Sequence, residues 1–339
     1  MKEKMTTLQT KAAALARLIK VADSEYNAFM GTYDQLFSSS PENTKADYEN
    51  GVPMQGYMPG SSEALEQYYK IIHLMCTLGS VEKMYMPPVM DLEKSVTENQ
   101  NIFERQLAKE IAIGKNDIAL DLGCGCGALA GHIAEILDCT VYGINIEESQ
   151  IEKAWENPDR SRLHFTVGDF NEPFAFGDNM FDAVYAVQPL TYAMDLAFTF
   201  GEVFRVLKPG GRFVVNDVAA LDNYDRDNDH HKVLIQHTRE LTAFGGFWHY
   251  KYWEDAFKNA GFELISSEGK SAVEMIVKER ALYDRFNEVF GLLSRLRVIP
   301  KKVDAMLQRM NTNCASYIEA EERELITLNW KYVTQKPES

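Results

Sequence analysis

Residues 117–146 read DIALDLGCGCGALAGHIAEILDCTVYGINI. A short apolar run, IALDL, enters Asp121-Leu-Gly-Cys-Gly-Cys-Gly127. A helix-patterned stretch, AGHIAEILD, follows, and then a second apolar run, CTVYGINI (139–146). Gly123, Gly125 and Gly127 let the chain turn sharply and let a ligand approach the backbone closely. The helix behind them offers free N–H groups at its start. Strand, glycine turn, helix and strand make a βαβ unit. The spacing here is G-x-G-x-G, not the G-x-G-x-x-G of the dinucleotide fingerprint, and an acid precedes it. The cluster alone therefore does not specify a nucleotide.

The same alternation continues outward. HFTVGDF (164–170), FDAVYAV (181–187) and RFVVNDV (212–218) are strand candidates. AFTFGEVFRVLKPGG (197–211) reads as a helix closed by Pro-Gly-Gly, and WEDAFKNAGF (253–262) as a helix ending at Gly261. ELISSEG (263–269) and LITLNWKYVTQKP (325–337) supply two more strands. Strands alternating with helices predict an α/β, Rossmann-like fold with a mainly parallel, twisted sheet. Helical additions are expected at both ends. Leu8, Ala12, Leu15, Leu18 and Ile19 recur at helical spacing within 1–37, and 275–310 is helical in pattern. Residues 38–62 collect Ser, Pro, Gly and Asn and read as a linker or long loop. Residues 63–112 read as helical, broken at Pro87-Pro88. The expected division is an N-terminal helix and linker (1–62), a helical cap (63–112), a core (113–268) and a C-terminal region (269–339).

The chain has 339 residues, with 35 Lys plus Arg against 50 Asp plus Glu, a formal charge of −15. That charge repels a phosphate backbone, so no nucleic-acid partner is expected. No apolar run approaches the roughly twenty residues of a membrane span. The start, MKEKMTTLQTK, has basic residues with no apolar segment behind them, unlike a secretory signal. The five cysteines (76, 124, 126, 139, 314) are odd in number and scattered, which fits a reducing compartment and a cytoplasmic location. Cys124 and Cys126 are too close for a CxxC motif and read as small residues in a tight loop. His230-His231 with Asp225, Asp227 and Asp229 reads as a solvated acidic loop, and no metal is expected.

Three further residues lie at the carboxyl ends of candidate strands, where open α/β sheets bind ligands. Asn145 can hydrogen-bond a ribose hydroxyl, and Asp169 can accept from an exocyclic amine. Gln188 ends the fourth strand. With these in place, the chain resembles the class I S-adenosylmethionine (SAM) methyltransferases. LDLGCGCG matches the first motif of that family, GDF the adenine-side motif, and FDAVYAV with EVFRVLKPGG the later motifs. GINIEESQ, VNDVAALDNYDRDNDHHK (215–232), NAGFEL and the tail LRVIPKKVDAMLQR…ITLNWKYVTQKP resemble one branch, the sterol C-methyltransferases. The similarity runs from about residue 65 to 337. The resemblance implies SAM as cofactor and S-adenosylhomocysteine as product. It implies Asp121, Gly123, Cys124, Gly125, Asn145, Gln150, Asp169, Phe170 and Gln188 as cofactor-binding residues. Asn145 stands where the family carries an acid for the ribose.

The departures from that branch fall where chemistry is expected. Its aromatic Y-E-Y-G-W-G motif aligns with Cys76-Thr-Leu-Gly-Ser-Val81, where only the glycine remains. Its E-A-T-C-H aligns with Gln188-Pro-Leu-Thr-Tyr192. Methylating a side-chain alkene creates a carbocation, which aromatic faces stabilise and an acid–histidine pair resolves. Without that apparatus, ring carbon 4 is the expected target in place of side-chain carbon 24, as in the nematode-type sterol 4-methyltransferases. A 3-keto sterol reacting as its enolate needs a base and an oxyanion donor. Tyr192 is the candidate donor, and Asp217 or His249 the candidate base. Equally, Tyr192 can be pocket wall and Asp217 a capping carboxylate.

Phe244-Gly-Gly-Phe-Trp-His-Tyr250 reads either as a pocket lining or lid, or as packing. Leu282, Phe286, Val289, Phe290, Leu292, Leu293 and Leu296 form an apolar face that can cover the substrate channel, meet a membrane or self-associate. The expected partner is a sterol or sterol-like molecule. Peripheral contact with the endoplasmic reticulum membrane and a homo-oligomer stay open. So do methylation of another lipid or isoprenoid, and a SAM-binding regulator without turnover.

Overall fold

The computed structural model describes residues 41–56, 83–157, 161–296 and 300–338, with scattered positions between 16 and 31. Most of the expected N-terminal helix of 1–37, all of 57–82 with the aligned stretch Cys76–Val81, and the side chains of Leu282, Phe286, Val289, Phe290 and Leu293 lie outside the described residues.

Alternation within IALDL determines how the sheet is built. Successive side chains of a strand point to opposite faces. In β2 (Ile118–Leu122), Leu120 and Leu122 join one core and Ala119 joins the other. β2 pairs in parallel with β3 (Thr140–Asn145) on one side and β5 (Phe181–Val187) on the other. β4 (Leu163–Val167) pairs beyond β3, and β6 (Leu207–Ala220) beyond β5, again in parallel. Parallel neighbours need crossovers, and α3 (Ala128–Leu137), α4 (Glu148–Ala154) and α5 (Leu196–Val206) supply three of them. The seven-stranded order is β4-β3-β2-β5-β6-β9-β8. Direction of travel reverses between β2 and β5, and a crevice at such a switch point is where α/β sheets bind ligands.

The last two strands are antiparallel. β8 is Glu263–Gly269 and β9 is Ile326–Gln335. β9 runs between β6 and β8, antiparallel to both. The C-terminal stretch therefore contributes a central strand to the sheet as well as its helices, α8 (Val273–Arg295) and α9 (Lys301–Glu322). α9 lies on α6 (Asp229–Thr242), where Glu240 takes hydrogen bonds from Arg309 and Asn313 at 3.0 Å each.

One core packs α5 and α7 (Tyr250–Asn259) on the sheet. Phe200 and Phe257 stack there at 4.3 Å, with Trp253 and Phe213 beside them. The other packs α2 (Val96–Ile111) and α3 on the opposite face, through Phe103, Leu107, Ile111 and Ile133.

Two element boundaries differ from the sequence reading. The helix expected to run to Gly211 ends at Val206, and β6 begins at Leu207. Pro209 lacks an N–H and disfavours a helical conformation at Lys208, so the chain leaves the helix before the Pro-Gly-Gly. Residues 41–56, inside the expected linker, carry structure. β1 (Glu42–Asn43) pairs with β7 (Phe247–Trp248), and α1 (Lys45–Glu49) starts at a Thr44–Asp47 capping box. This strap is pinned to the core by Arg239 on Pro41 and Glu42, Tyr48 on Asp255, and the Trp248 indole on the Gln55 carbonyl.

Candidate active site

The glycine turn is shaped from both sides. Gly123, Gly125 and Gly127 all have left-handed backbones, with φ of 72°, 53° and 74°. A Cβ at Gly123 would lie 2.4 Å from the Pro189 ring, and one at Gly127 would lie 2.5 Å from the Phe165 ring. Those two glycines are required by packing as well as by conformation. Gly125 differs: a Cβ there would meet only the Gln150 side-chain oxygen, at 3.4 Å. Its open side faces away from the core and is the place where a ligand can approach the backbone.

Asp121, Cys124, Asn145 and Gln150 gather around this turn. The N–H groups of Gly123 and Cys124 both donate to the Ile144 carbonyl, which ties the loop to the end of β3. The next residue, Asn145, donates from Nδ2 to Gln150 Oε1 at 3.3 Å. Gln150 stands in the first turn of α4, whose start is capped by Glu147. Asp121 is buried at the foot of the turn, opposite Tyr185 in the β2–β5 register, and its Oδ2 has no hydrogen-bond partner. Burial pushes its carboxyl up to about 8, against the pull of the Tyr185 hydroxyl. Burial raises the Cys124 thiol as well, so it is a packed, inert thiol.

Asp169 and Phe170 follow β4. Asp169 Oδ1 accepts from the backbone and side-chain amides of Asn171, at 2.8 and 3.0 Å. Asn171 in turn holds the Tyr192 carbonyl and the Met194 N–H. Phe170 is half-buried against the core, and its carbonyl accepts from Thr199. Gln188 ends β5 with φ of 62°, a left-handed backbone that costs a non-glycine residue about 1–2 kcal/mol. Its amide is engaged with the Met86 backbone and the Leu328 carbonyl.

The three candidate catalytic residues have different surroundings. Tyr192 closes a short 3₁₀ turn (Leu190–Tyr192) beside the glycine loop, and its hydroxyl donates to the Ala243 carbonyl. Asp217 is fully buried and accepts from the N–H groups of Leu190 and Val218, both at 2.8 Å. Burial pushes its carboxyl up to about 7, and those two N–H groups work against the shift. His249 is buried under the strap. Its Nε2 lies 2.9 Å from Asp222, which also holds Lys45, and burial lowers its pKa. Asp217 therefore reaches the site through the turn that carries Tyr192, and His249 lies in the anchorage of the strap.

Sequence reasoning did not find the residues that hold 83–91 in place. Glu104 of α2, fully buried, accepts from Lys83 at 2.6 Å, from the Tyr85 hydroxyl and from the His132 ring. Gln100 donates to the carbonyls of Lys83 and Tyr85, and Asn99 accepts from the N–H groups of Met90 and Asp91. The available signal was polar residues on the buried face of a helix, at positions 99, 100 and 104. The 244–250 stretch is packing: Phe244, Phe247 and Trp248 are buried in the two nearest cores. His230 pairs with Glu319 and His231 accepts from Asp225 N–H. Among the described residues no three His, Cys, Asp or Glu side chains cluster to hold a metal ion.

A family model described as a methyltransferase domain matches residues 113–279, from the approach to β2 through the start of α8. The sterol 24-C-methyltransferase of Aspergillus fumigatus is 38% identical over 169 residues, 49% of this chain and 45% of that protein. Residues 113–279 of this chain are a methyltransferase domain, similar in sequence to the sterol 24-C-methyltransferases. It spans about half the length of the first curated relatives it matches. Among solved structures, the [4+2]-cyclase SpnF superposes with a TM-score of 0.63 at 19% identity, covering 84% of this chain and all of that one. The SAM complex of Haemonchus contortus phosphoethanolamine N-methyltransferase 2 superposes at 0.56 with 21% identity, covering 70% of this chain and 52% of that one. Both show the fold of the methyltransferase domain. β9 lies beyond the matched residues yet completes its sheet between β6 and β8.

The residues present fit SAM. Gly125 leaves the cradle open, the Asn145–Gln150 amide pair offers donors and acceptors for hydroxyls, and Asp169 offers a carboxylate beyond them.

Proposed function

We propose that the protein transfers the SAM methyl group to a carbon of a sterol, and that this carbon is ring carbon 4 of a 3-keto substrate. The observation that carries the reading is a complete cofactor cradle, in a domain of the sterol branch, beside an altered catalytic turn. Asp121, Gly123, Gly125, Asn145 and Gln150 converge at the switch point, while Gln188 and Tyr192 replace an acid and a histidine.

Bound SAM supplies an electrophilic methyl on a sulfonium that leaves as a neutral thioether. Gly125 and the Asn145–Gln150 pair would hold the cofactor at the ends of β2 and β3. His249, whose Nδ1 has no partner, is the remaining candidate base: it takes the proton from carbon 4, the carbonyl oxygen takes the charge, and carbon 4 becomes the nucleophile that receives the methyl as the thioether leaves. Tyr192 is the oxyanion donor: its hydroxyl, now spent on the Ala243 carbonyl, turns to the charged oxygen. Asp217 acts by fixing the Leu190 N–H at the head of that turn. Much of the rate comes from holding nucleophile and methyl in line. A sterol partitions into bilayers, so peripheral membrane contact is part of this reading. No disulfide joins Cys124, Cys126, Cys139 or Cys314 among the described residues, which supports a cytoplasmic setting.

Enolate formation can be tested apart from methyl transfer. With S-adenosylhomocysteine bound and the protein in deuterium oxide, a 3-keto sterol should exchange hydrogen at carbon 4. Tyr192→Phe should slow that exchange by roughly 100-fold, the usual loss for one oxyanion donor. No exchange above the buffer rate would remove the carbon-4 assignment.

A further inference from the structure

We propose that Gln188 is a positioning residue that fastens residues 83–91 and the C-terminal strand beside the cofactor cradle, and that this clamp requires an amide at 188. The word cofactor rests on the methyltransferase reading above. The clamp itself does not.

The geometry is that of a side chain standing in for a strand. Gln188 Oε1 accepts from the Met86 N–H at 3.1 Å, and Nε2 donates to the Met86 carbonyl at 2.9 Å. Both backbone groups of one residue are thus satisfied by one amide. Nε2 also donates to the Leu328 carbonyl of β9 at 3.0 Å. Asn329 Oδ1 lies 3.4 Å from Nε2 and takes a hydrogen bond from Asn216 at 2.9 Å. One side chain therefore joins three parts of the chain: the segment ahead of α2, the end of β5 and the last strand. The neighbouring residue, Pro189, packs on Gly123 of the glycine turn. The junction is in contact with the cradle.

A carboxylate cannot make this set of bonds. It can accept from the Met86 N–H, but it has no hydrogen to give to the two carbonyls. Glutamate at 188 would place negative oxygen about 3 Å from two carbonyl oxygens that have lost their donor. The acid that the sterol branch carries at this place is incompatible with the present packing of residue 86 on residue 188. The clamp also accounts for the backbone of Gln188. A non-glycine residue at φ 62° persists where surrounding contacts over-determine it, and the three bonds do so. Tyr85 is secured separately, by Glu104, so two anchors act on adjacent residues.

Two variants, with Gln188→Asn as a third in the binding measurement, test this. Gln188→Glu keeps the shape and removes the donor. Gln188→Gly removes the side chain at a φ that glycine adopts without strain, so it retains the backbone. Peptide hydrogen exchange of the ligand-free full chain is compared at 83–91 and, as an internal reference, at α3 and β3. In both variants 83–91 should exchange at least ~10-fold faster while the reference peptides are unchanged. Calorimetric affinity for S-adenosylhomocysteine should fall by about tenfold in both, with Gln188→Asn, whose amide falls one methylene short, no better than Gln188→Gly. Unchanged protection at 83–91 in Gln188→Glu overturns the proposal. So does weaker binding with that protection intact. If the unaltered protein fails to bind S-adenosylhomocysteine, the methyltransferase reading falls, and the clamp is still decided by the exchange data.

Discussion

Three glycines in one turn have different duties, and substitution should separate them. Gly127→Ala drives a Cβ into the Phe165 ring at φ 74° and should cost roughly 2–3 kcal/mol of stability. Gly125→Ala meets only the Gln150 side-chain oxygen, at 3.4 Å, and should cost about 1 kcal/mol, yet weaken S-adenosylhomocysteine binding by more than tenfold. Denaturant titration and calorimetry on the two proteins check the contrast. Asp121 makes a pH prediction. Its carboxyl titrates near 8 when folded and near 3.8 when unfolded. Between those values the folded chain binds the proton that the unfolded chain has lost, so stability falls as pH rises through that window. Melting temperature should drop from pH 5 to pH 8.5, and the drop should be smaller in Asp121→Asn. The glycine turn and the strand-end place of Asn145 were legible because they leave a spacing signature, while Asp121 and Gln150 were expected at the cofactor only through the family resemblance. Glu104, Gln100 and Asn171 were not, because their roles depend on which loop lands beside them. Asp217 looked like a base at a strand end, and only tertiary packing shows its oxygens occupied by two backbone N–H groups.

The strands and core helices were readable from alternation and from stop signals, because those patterns are local. The position of β9 between β6 and β8 was not, since a strand's neighbours are set by topology far along the chain. The strap at 41–56 was read as part of a linker or long ordered loop, and its short elements went unread although Thr44 and Asp47 spell a capping box. Its short elements are held by side chains of distant helices, chiefly Arg239, Asp255 and Tyr252. The segment at 83–91 has no secondary structure of its own and is held by α2. Glu104→Ala should therefore do more than remove one carboxylate. It leaves Lys83, Tyr85 and His132 without their shared acceptor in a buried place, and should destabilise by about 3–5 kcal/mol. Glu104→Gln keeps an acceptor oxygen and should lose less. Urea unfolding of both variants measures the difference.

The molecule joins a methyltransferase domain to additions that sit on its sheet, its strand edges and the mouth of its crevice. It is acidic overall, no helix among the described residues is long and apolar enough to cross a membrane, and the candidate site lies at the switch point of the sheet. The turn after β5, with Gln188 and Tyr192, is the basis for proposing chemistry other than side-chain methylation. The most direct test uses purified protein, methyl-labelled SAM and a panel of 3-hydroxy and 3-keto sterols, with the label located by mass spectrometry. The predicted result is label on ring carbon 4 of a 3-keto sterol. Label on side-chain carbon 24 would contradict the enolate mechanism, and no label on any sterol, with S-adenosylhomocysteine still bound, would contradict the sterol assignment itself.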